Sequence, residues 1–280
     1  MIPSGAARIA GIMGWPVEHS LSPRLHGYWL EHYRIDGAYI PPVVRPERLG
    51  PALRALPDLG FAGVNLTVPH KSAALAHLDS IAPEARRIGA VNTVVVQTDG
   101  RLHGWNTDSE GFKESLMAAV PGFDLARRPV VLLGAGGAAR AVAAALLSLA
   151  VMEIRLVNRS RTRAQELVTD LGGPISVHAW EHRATSLEGC ALLVNTTTLG
   201  MTSAPELILP LEALARDAVV VDIVYVPLET PLLRAARARG NRVVDGLGML
   251  LHQAVPGFAA WFGRRPAVTE ALRRAVLSMS

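Results

Sequence analysis

Residues Val130–Ala139 read VVLLGAGGAA, four apolar residues running into a glycine turn and on into a long alanine-rich stretch. A short apolar run closed by glycine predicts a buried strand, and the alanine-rich continuation predicts a helix. G-x-G-x-x-A between a strand and a helix is the signature of a dinucleotide-binding turn. Gly134 allows the tight bend, Gly136 lets a pyrophosphate approach the backbone, and Ala139 permits close packing of helix on strand. The helix N-terminus beyond the turn offers free N–H groups and a positive dipole end to phosphate. The competing reading is a glycine turn in an α/β unit that binds nothing.

The next strand argues against that alternative. It runs EIRLV and ends in Asn158-Arg159-Ser160-Arg161-Thr162-Arg163. About 20 residues after the glycines, a site for NAD carries Asp or Glu to accept the ribose hydroxyls. Here Asn158 stands in place of a carboxylate, and Arg159, Arg161 and Arg163 cluster behind it. Guanidinium groups bind a 2′-phosphate in bidentate fashion, whereas a carboxylate would repel it. The cofactor expected is therefore NADP. Three merely solvated arginines at a helix start would oppose the helix dipole.

Outward from this unit, short apolar runs alternate with helical segments along the chain, the pattern of an α/β protein. Before it, strands are predicted over Arg8–Met13, Gly37–Val43 and Gly63–Thr67. Helices are predicted over Pro23–Tyr33, Pro46–Leu56 and Lys71–Leu78. Ala90–Gln97 and Arg101–Trp105 form a hairpin across Thr98-Asp99-Gly100, whose Asp-Gly marks a tight turn. A seam between two domains falls near Thr107–Ser109, before a helix over Gly111–Val120. After the glycine loop, further strands are expected in ISVHAW, ALLVNT, AVVVDIVY and NRVVDG. A last helix, Met249–Phe262, could cap the second unit or return to the first.

The chain of 280 residues carries 28 basic and 24 acidic residues, a net charge of +4. At this length single cores tend to divide. The basic excess is scattered and without an aromatic-interleaved run, which excludes a nucleic-acid protein and suits a small anionic ligand. The one cysteine, Cys190, permits no internal disulfide and fits a reducing compartment. It sits beside the apolar run ALLVN and reads as buried filler. The first residues show no signal-peptide pattern, and no window reaches the roughly 18 apolar residues of a membrane span. The expected address is the cytoplasm, with no membrane and no nucleic-acid partner.

Polar residues near predicted strand ends supply the chemistry. Ser22 before Pro23 reads as an N-cap followed by the favoured first-turn proline. Ser20 has no such structural reason and suits a carboxylate ligand at a helix start. Asn65 and Thr67 close a strand, where α/β sheets collect ligands. Asn92 interrupts an apolar strand, and a buried amide must be hydrogen-bonded. Asn106, Thr107 and Asp108 lie at the seam. Lys71 follows directly on NLTVPH, either as a solvated charge or as a placed acid/base. His178 and His182 stand four apart, but no third ligand or HExxH glutamate accompanies them, so no metal is expected. His19, His26 and His70 read as local structure. No GxSxG elbow and no Walker loop is present.

In order along the chain, HSLSPRLH, NLTVPHK, GAVNTVV, GWNTDSEGF, LLGAGGAARA, VNRSRTRA, NTTTLGM, DIVYVPLETPLL and GLGMLLHQAVPGFAAWFG resemble the shikimate/quinate dehydrogenase family over nearly the whole length. The glycine loop is generic; the first four stretches and the last two are specific. The resemblance implies two α/β domains. One, over 1–108 and 247–280, binds substrate; the other, over 109–246, is a Rossmann-type NADP-binding domain, and the C-terminal helices return to the first. It implies reversible NADPH-dependent reduction of 3-dehydroshikimate to shikimate, in chorismate and aromatic amino-acid biosynthesis, by a monomer or homodimer. Carried over, Lys71 and Asp108 are the catalytic pair, and Ser20 and Ser22 bind the substrate carboxylate. Asn65, Thr67, Asn92 and Gln253 bind ring hydroxyls, and Tyr225 lies at the substrate cleft. Cofactor contacts fall to Gly134, Ala135, Gly136, Gly137, Ala138, Asn158, Arg159, Arg163, Thr196 and Gly246. The sequence departs from the family at Thr196 and Thr198, where alanine and serine are commoner. Intact Lys71 and Asp108 weigh against a non-catalytic NADP-binding regulator on the same fold. A quinate dehydrogenase or a relative of broader range would use the same residues.

Overall fold

The computed structural model describes residues 2–202 and 204–278. Two compact units emerge, one from residues up to Thr107 together with those from Leu250 onward, the other from Asp108 to Met249.

The first unit is a mixed six-stranded sheet. Its strands are β1 (Arg8–Met13), β2 (Gly37–Ile40), β3 (Phe61–Leu66), β4 (Ser80–Ile81), β5 (Thr93–Val96) and β6 (Leu102–Trp105), ordered β2-β1-β3-β5-β6-β4. β1 runs parallel to both β2 and β3, while β5 is antiparallel to β3 and to β6. The hairpin between β5 and β6 turns at Gly100, whose positive φ of 81° suits glycine. Helices α1 (Ser22–His32), α2 (Leu49–Arg54), α3 (His70–Ala73) and α4 (Pro83–Ile88) connect these strands. The helix expected over 46–56 begins with a 3-10 turn at Pro46–Arg48, and that expected over 71–78 ends in one at Ala74–His77. β4 and α4 lie where sequence periodicity predicted no element.

The second unit is a wholly parallel six-stranded sheet. After α5 (Asp108–Ala119) come β7 (Val130–Leu133), α6 (Gly137–Ser148), β8 (Ile154–Asn158), α7 (Arg161–Leu171), β9 (Ile175–Ala179), β10 (Leu192–Asn195), β11 (Val219–Asp222), α8 (Pro231–Ala238) and β12 (Arg242–Val244). The order β9-β8-β7-β10-β11-β12 is the 3-2-1-4-5-6 arrangement of a dinucleotide-binding sheet. All residues of β7 and β10 are buried, as expected for strands covered on both faces. Ala139, Ala141, Ala143 and Ala145 are buried on α6, so small side chains allow that helix its close approach.

Helix α9 (Gly246–Phe262) starts in the second unit and, from Leu250, belongs to the first, as does α10 (Glu270–Leu277). The return is an aromatic one: Phe258 meets Trp29 with ring centroids 5.2 Å apart, and the Trp261 indole donates to Val94 O at 3.0 Å. The Trp29 indole likewise donates to Ala267 O at 3.1 Å. Burying such rings supplies most of the contact energy of a helix docked in this way.

Candidate active site

One edge of the first sheet gathers most of the predicted substrate residues, and topology alone explains why. β1 and β3 are parallel and end together at Met13 and Leu66. β5 is antiparallel to β3 and starts at Thr93, opposite Asn65; β6 ends at Trp105, opposite Thr93. The loop after β1, the segment after β3, the entry to β5 and the exit of β6 therefore share an edge. They carry Ser20 and Ser22, Thr67 and Lys71, Asn92, and Thr107.

Asn92 is the hub of this edge. Its Oδ1 accepts the Thr107 backbone N–H at 2.8 Å and the Thr93 hydroxyl at 3.1 Å. Its Nδ2 donates to Thr107 Oγ1 at 3.0 Å and to Gln253 Oε1 at 3.3 Å, so α9 does bring Gln253 here. Asn65 is engaged in the same way. Its two N–H donors go to Asn92 O at 3.0 Å and Thr93 Oγ1 at 3.1 Å, and its Oδ1 accepts the Tyr39 hydroxyl at 2.7 Å. Both amide donors of Asn65 are thus engaged within the protein, leaving one acceptor position for a ligand. Sequence reasoning did not name Tyr39 or Thr93; a tyrosine in a strand interior was the available signal for the first.

The loop after β1 passes tightly against Thr67. A Cβ on Gly14 would come within 2.5 Å of Thr67 Cγ2. Beyond it, the expected capping role of Ser22 is not found. Helix α1 begins at Ser22 itself, its cap position is Leu21, and no side chain caps it. Ser20 Oγ instead accepts the Ser22 N–H at 3.3 Å, a local turn bond at the start of α1. Lys71 lies one residue into α3 and is partly exposed; its carbonyl accepts the Val91 N–H at 2.8 Å, which ties α3 to the entry of β5. Beside it, His70 is buried with Nε2 2.8 Å from Val44 O, a local structural contact.

Asp108 follows Thr107 in the chain, is buried, and opens α5 in the second unit. Tyr225 also lies in the second unit, where burial raises its phenol above the ordinary value.

The glycine loop joins β7 to α6. Gly134 has φ +106°, a backbone that glycine alone adopts readily, and a Cβ there would approach Thr196 Oγ1 to 2.9 Å. Gly136 caps α6 with no side-chain cap bond, and a Cβ on it would meet nothing within 4 Å. The protein does not need Gly136 to be small for its own packing, so the bare backbone and uncapped N–H groups fit an incoming pyrophosphate. At the end of β8, Asn158 Nδ2 donates to Ser160 O at 2.8 Å, and Ser160 Oγ caps α7 by accepting the Arg163 N–H at 3.3 Å. Arg159, Arg161 and Arg163 are exposed, and their guanidinium groups have no partner among the described residues. The residues present therefore fit an NADP molecule at both its pyrophosphate and its 2′-phosphate. Gly246 has a packing reason as well, since a Cβ there would lie 2.2 Å from Ile223 O. His178 meets the Ser176 and Ser186 hydroxyls at 3.1 Å through its two ring nitrogens.

Sequence reasoning missed a fully buried polar chain along the same edge. Asn195 ends β10 and Asp222 ends β11, paired in register, and Thr230 opens α8; all three are 0% exposed. Asp222 accepts Asn195 Nδ2 at 2.9 Å, the Val224 N–H at 3.1 Å and the Thr230 hydroxyl at 2.7 Å. Burial pushes its carboxyl up to about 6, against those three hydrogen bonds. A carboxylate closing the apolar run VVV was the signal.

Comparison with known proteins agrees with this geometry. Family models match as the shikimate dehydrogenase substrate binding domain over residues 12–94, shikimate / quinate 5-dehydrogenase over 117–226, and the shikimate 5′-dehydrogenase C-terminal domain over 246–277. A shikimate dehydrogenase (NADP(+)) of Paramagnetospirillum magneticum is 62% identical, covering 98% of this chain and 100% of the relative. Shikimate 5-dehydrogenase of Thermus thermophilus, solved with NADP(H) and shikimate, is 42% identical at a TM-score of 0.84, over 96% of this chain and 99% of that one. Quinate dehydrogenase of Corynebacterium glutamicum, solved with NAD, is 32% identical at a TM-score of 0.89, over 97% and 99%. The chain belongs to the shikimate/quinate dehydrogenase family.

Proposed function

We propose that the protein catalyses the reversible NADPH-dependent reduction of 3-dehydroshikimate to shikimate, a step of aromatic amino-acid and chorismate biosynthesis. What supports this reading is the single sheet edge whose connecting segments carry Ser20, Ser22, Thr67, Lys71 and Asn92, with Gln253 hydrogen-bonded to Asn92. Relatives named as NADP-dependent shikimate dehydrogenases along the whole chain support it.

When bound, NADPH supplies the hydride. The chain's own groups do the rest. Ser20 and Ser22 hold the substrate carboxylate by donating hydrogen bonds from their hydroxyls. Thr67, Asn92 and Gln253 hold ring hydroxyls, with Asn92 fixed in one orientation by Thr107 and Thr93. Asn65, whose amide donors are likewise engaged, offers the free acceptor position of its carbonyl oxygen to a ring hydroxyl. Lys71 sits at the reacting oxygen and stabilises the negative charge that develops there. Asp108 is the second catalytic group, and the proton is assigned to neither residue alone. Tyr225 lines the ring. Ala135, Gly137 and Ala138 extend the glycine cradle, with Thr196 at the nicotinamide end. Asn158, Arg159 and Arg163 select NADP over NAD, because no carboxylate stands there to repel a 2′-phosphate.

We place the protein in the cytoplasm, as a monomer or homodimer. Its single cysteine is buried and permits no internal disulfide, which suits a reducing compartment. Among the described residues no helix is long and apolar enough to cross a membrane. Turnover of shikimate and quinate, each with NADP and with NAD, tests the assignment. Shikimate with NADP should be the fastest combination; faster quinate oxidation with NAD would move the protein to the quinate branch, and tight NADPH binding without any turnover would make it a regulator.

A further inference from the structure

The buried chain at the end of the second sheet spans three adjacent strands. Thr196 Oγ1 donates to Leu133 O at the end of β7, at 2.6 Å. Its neighbour Asn195 accepts the Thr197 N–H and hydroxyl at 3.0 and 2.7 Å, and donates to Leu199 O at 3.2 Å. Asn195 then donates to Asp222, which takes the Thr230 hydroxyl, and Thr230 Oγ1 caps α8 by accepting the Leu233 N–H at 3.3 Å. Asp222 also accepts the N–H of Val224, the residue before Tyr225. No cation pairs with this carboxylate among the described residues. A fully buried carboxylate is costly, and a neutral amide of the same shape could not accept all three donors.

We infer that Asp222 is a positioning residue that clamps segment 195–199 to segment 223–230 and so fixes Thr196 and Tyr225 against the ligands. The inference rests on the proposed shikimate dehydrogenase reading and names what holds its second-domain contacts in place. Doubly wound sheets bind ligands where β7 and β10 diverge, and this chain ties β7 and β10 there to β11, on the far side of β10. The 2′-phosphate site at the end of β8 takes no part in it. The clamp therefore acts on the nicotinamide and substrate end and leaves the adenosine end alone.

Three measurements test it on the full-length protein. Asp222→Asn should lower kcat/KM for shikimate by about 10-fold or more, the scale of a misplaced contact, while the dissociation constant for adenosine 2′,5′-bisphosphate stays within about twofold. Adding Asp222→Asn to Tyr225→Phe should cost little beyond the single variants, because the tyrosine's contribution is already lost. Thr230→Ser should behave as wild type and Thr230→Val as Asp222→Asn, which covers the case of an Asp222 variant that fails to fold. Hydrogen exchange should rise at residues 195–199 and 223–230 and remain unchanged along β8 and α7. That readout is independent of turnover, so absence of shikimate oxidation in the wild type would sink the functional reading alone. Wild-type kinetics in Asp222→Asn, equal weakening of adenosine 2′,5′-bisphosphate, fully multiplicative losses with Tyr225→Phe, or exchange raised uniformly would each overturn the clamp.

Discussion

The two sheets present opposite kinds of surface at the edges to which we assign their sites. The first offers side chains: hydroxyls from Ser20, Ser22 and Thr67, amides from Asn92 and Gln253, and the ammonium of Lys71. The second offers backbone: Gly134 and Gly136 clear the space, and the uncapped start of α6 supplies the donors. A small polyhydroxy acid differs from its analogues by single groups, and discriminating them requires a placed partner for each. A pyrophosphate needs dense N–H donors and room, which no side chain improves. The division predicts that substitutions in the first unit change chemistry and substrate affinity, whereas those at the glycine loop and at the end of β8 change cofactor affinity alone.

The largest effect that would break this division concerns Asp108, which belongs to the second unit yet is assigned to the chemistry. Asp108→Asn should lower turnover by roughly 100-fold or more, and combining it with Lys71→Ala should be little worse than the poorer single variant. Multiplied losses in steady-state turnover would separate the two residues into independent roles. Arg159→Ala should weaken NADPH by about 1.5–3 kcal/mol, the value of hydrogen bonds to a charged group, with little change for NADH. Equal weakening of both cofactors in binding titrations would show that the arginine does not read the 2′-phosphate. Ser20→Ala or Ser22→Ala should each cost about 1–2 kcal/mol in shikimate affinity. For Ser22 the result is sharper, since α1 does not use its hydroxyl; a fall in thermal stability at unchanged affinity would restore the capping role.

The smallest effect contrasts buried ionisable groups in the two units. His26 is fully buried, stacks on Tyr39 at 3.9 Å, and has neither ring nitrogen hydrogen-bonded. Burial lowers its pKa from 6.5 to about 3. Below pH 6.5 the unfolded chain takes up a proton that the folded chain refuses, so stability falls as pH falls from 6.5 toward 3. Between pH 7.5 and 5.5 this amounts to on the order of 1 kcal/mol. Asp222 has the opposite sign: its raised pKa means that the folded chain keeps its proton longer, and stability falls as pH rises from 3.8 to about 6. Denaturant melts of wild type and His26→Phe at the two pH values should differ in slope by that amount, and equal slopes would refute the assignment.

Much of the second unit was legible because its signals are local. An apolar run, three glycines and an alanine lie within ten residues, and the missing carboxylate at Asn158 lies at a fixed distance beyond. The first unit was read one polar residue at a time, and there local rules misled. Ser22-Pro23 and Thr230-Pro231 carry the same capping signature. Thr230 caps α8 as the rule says, whereas α1 starts a residue early, at Ser22, with Leu21 at its cap. Asn65 and Asn92 look alike in sequence, and only tertiary pairing, with Thr93 for the first and with Thr107 and Gln253 for the second, shows that the amide donors of both are used inside the protein. β4 has two residues and no period to detect, and Asp222 was overlooked because its side-chain donors, Asn195 and Thr230, lie 27 and 8 residues away in the chain.

Lys71→Met tests the central claim most directly, with turnover, shikimate affinity and NADPH affinity measured on the same preparation. Methionine keeps much of the apolar stem and removes the ammonium. Turnover should fall by roughly 100-fold or more, with shikimate affinity changed much less and NADPH affinity unchanged. Normal turnover with only a raised Michaelis constant for shikimate would make Lys71 a binding charge and leave the proton to another donor.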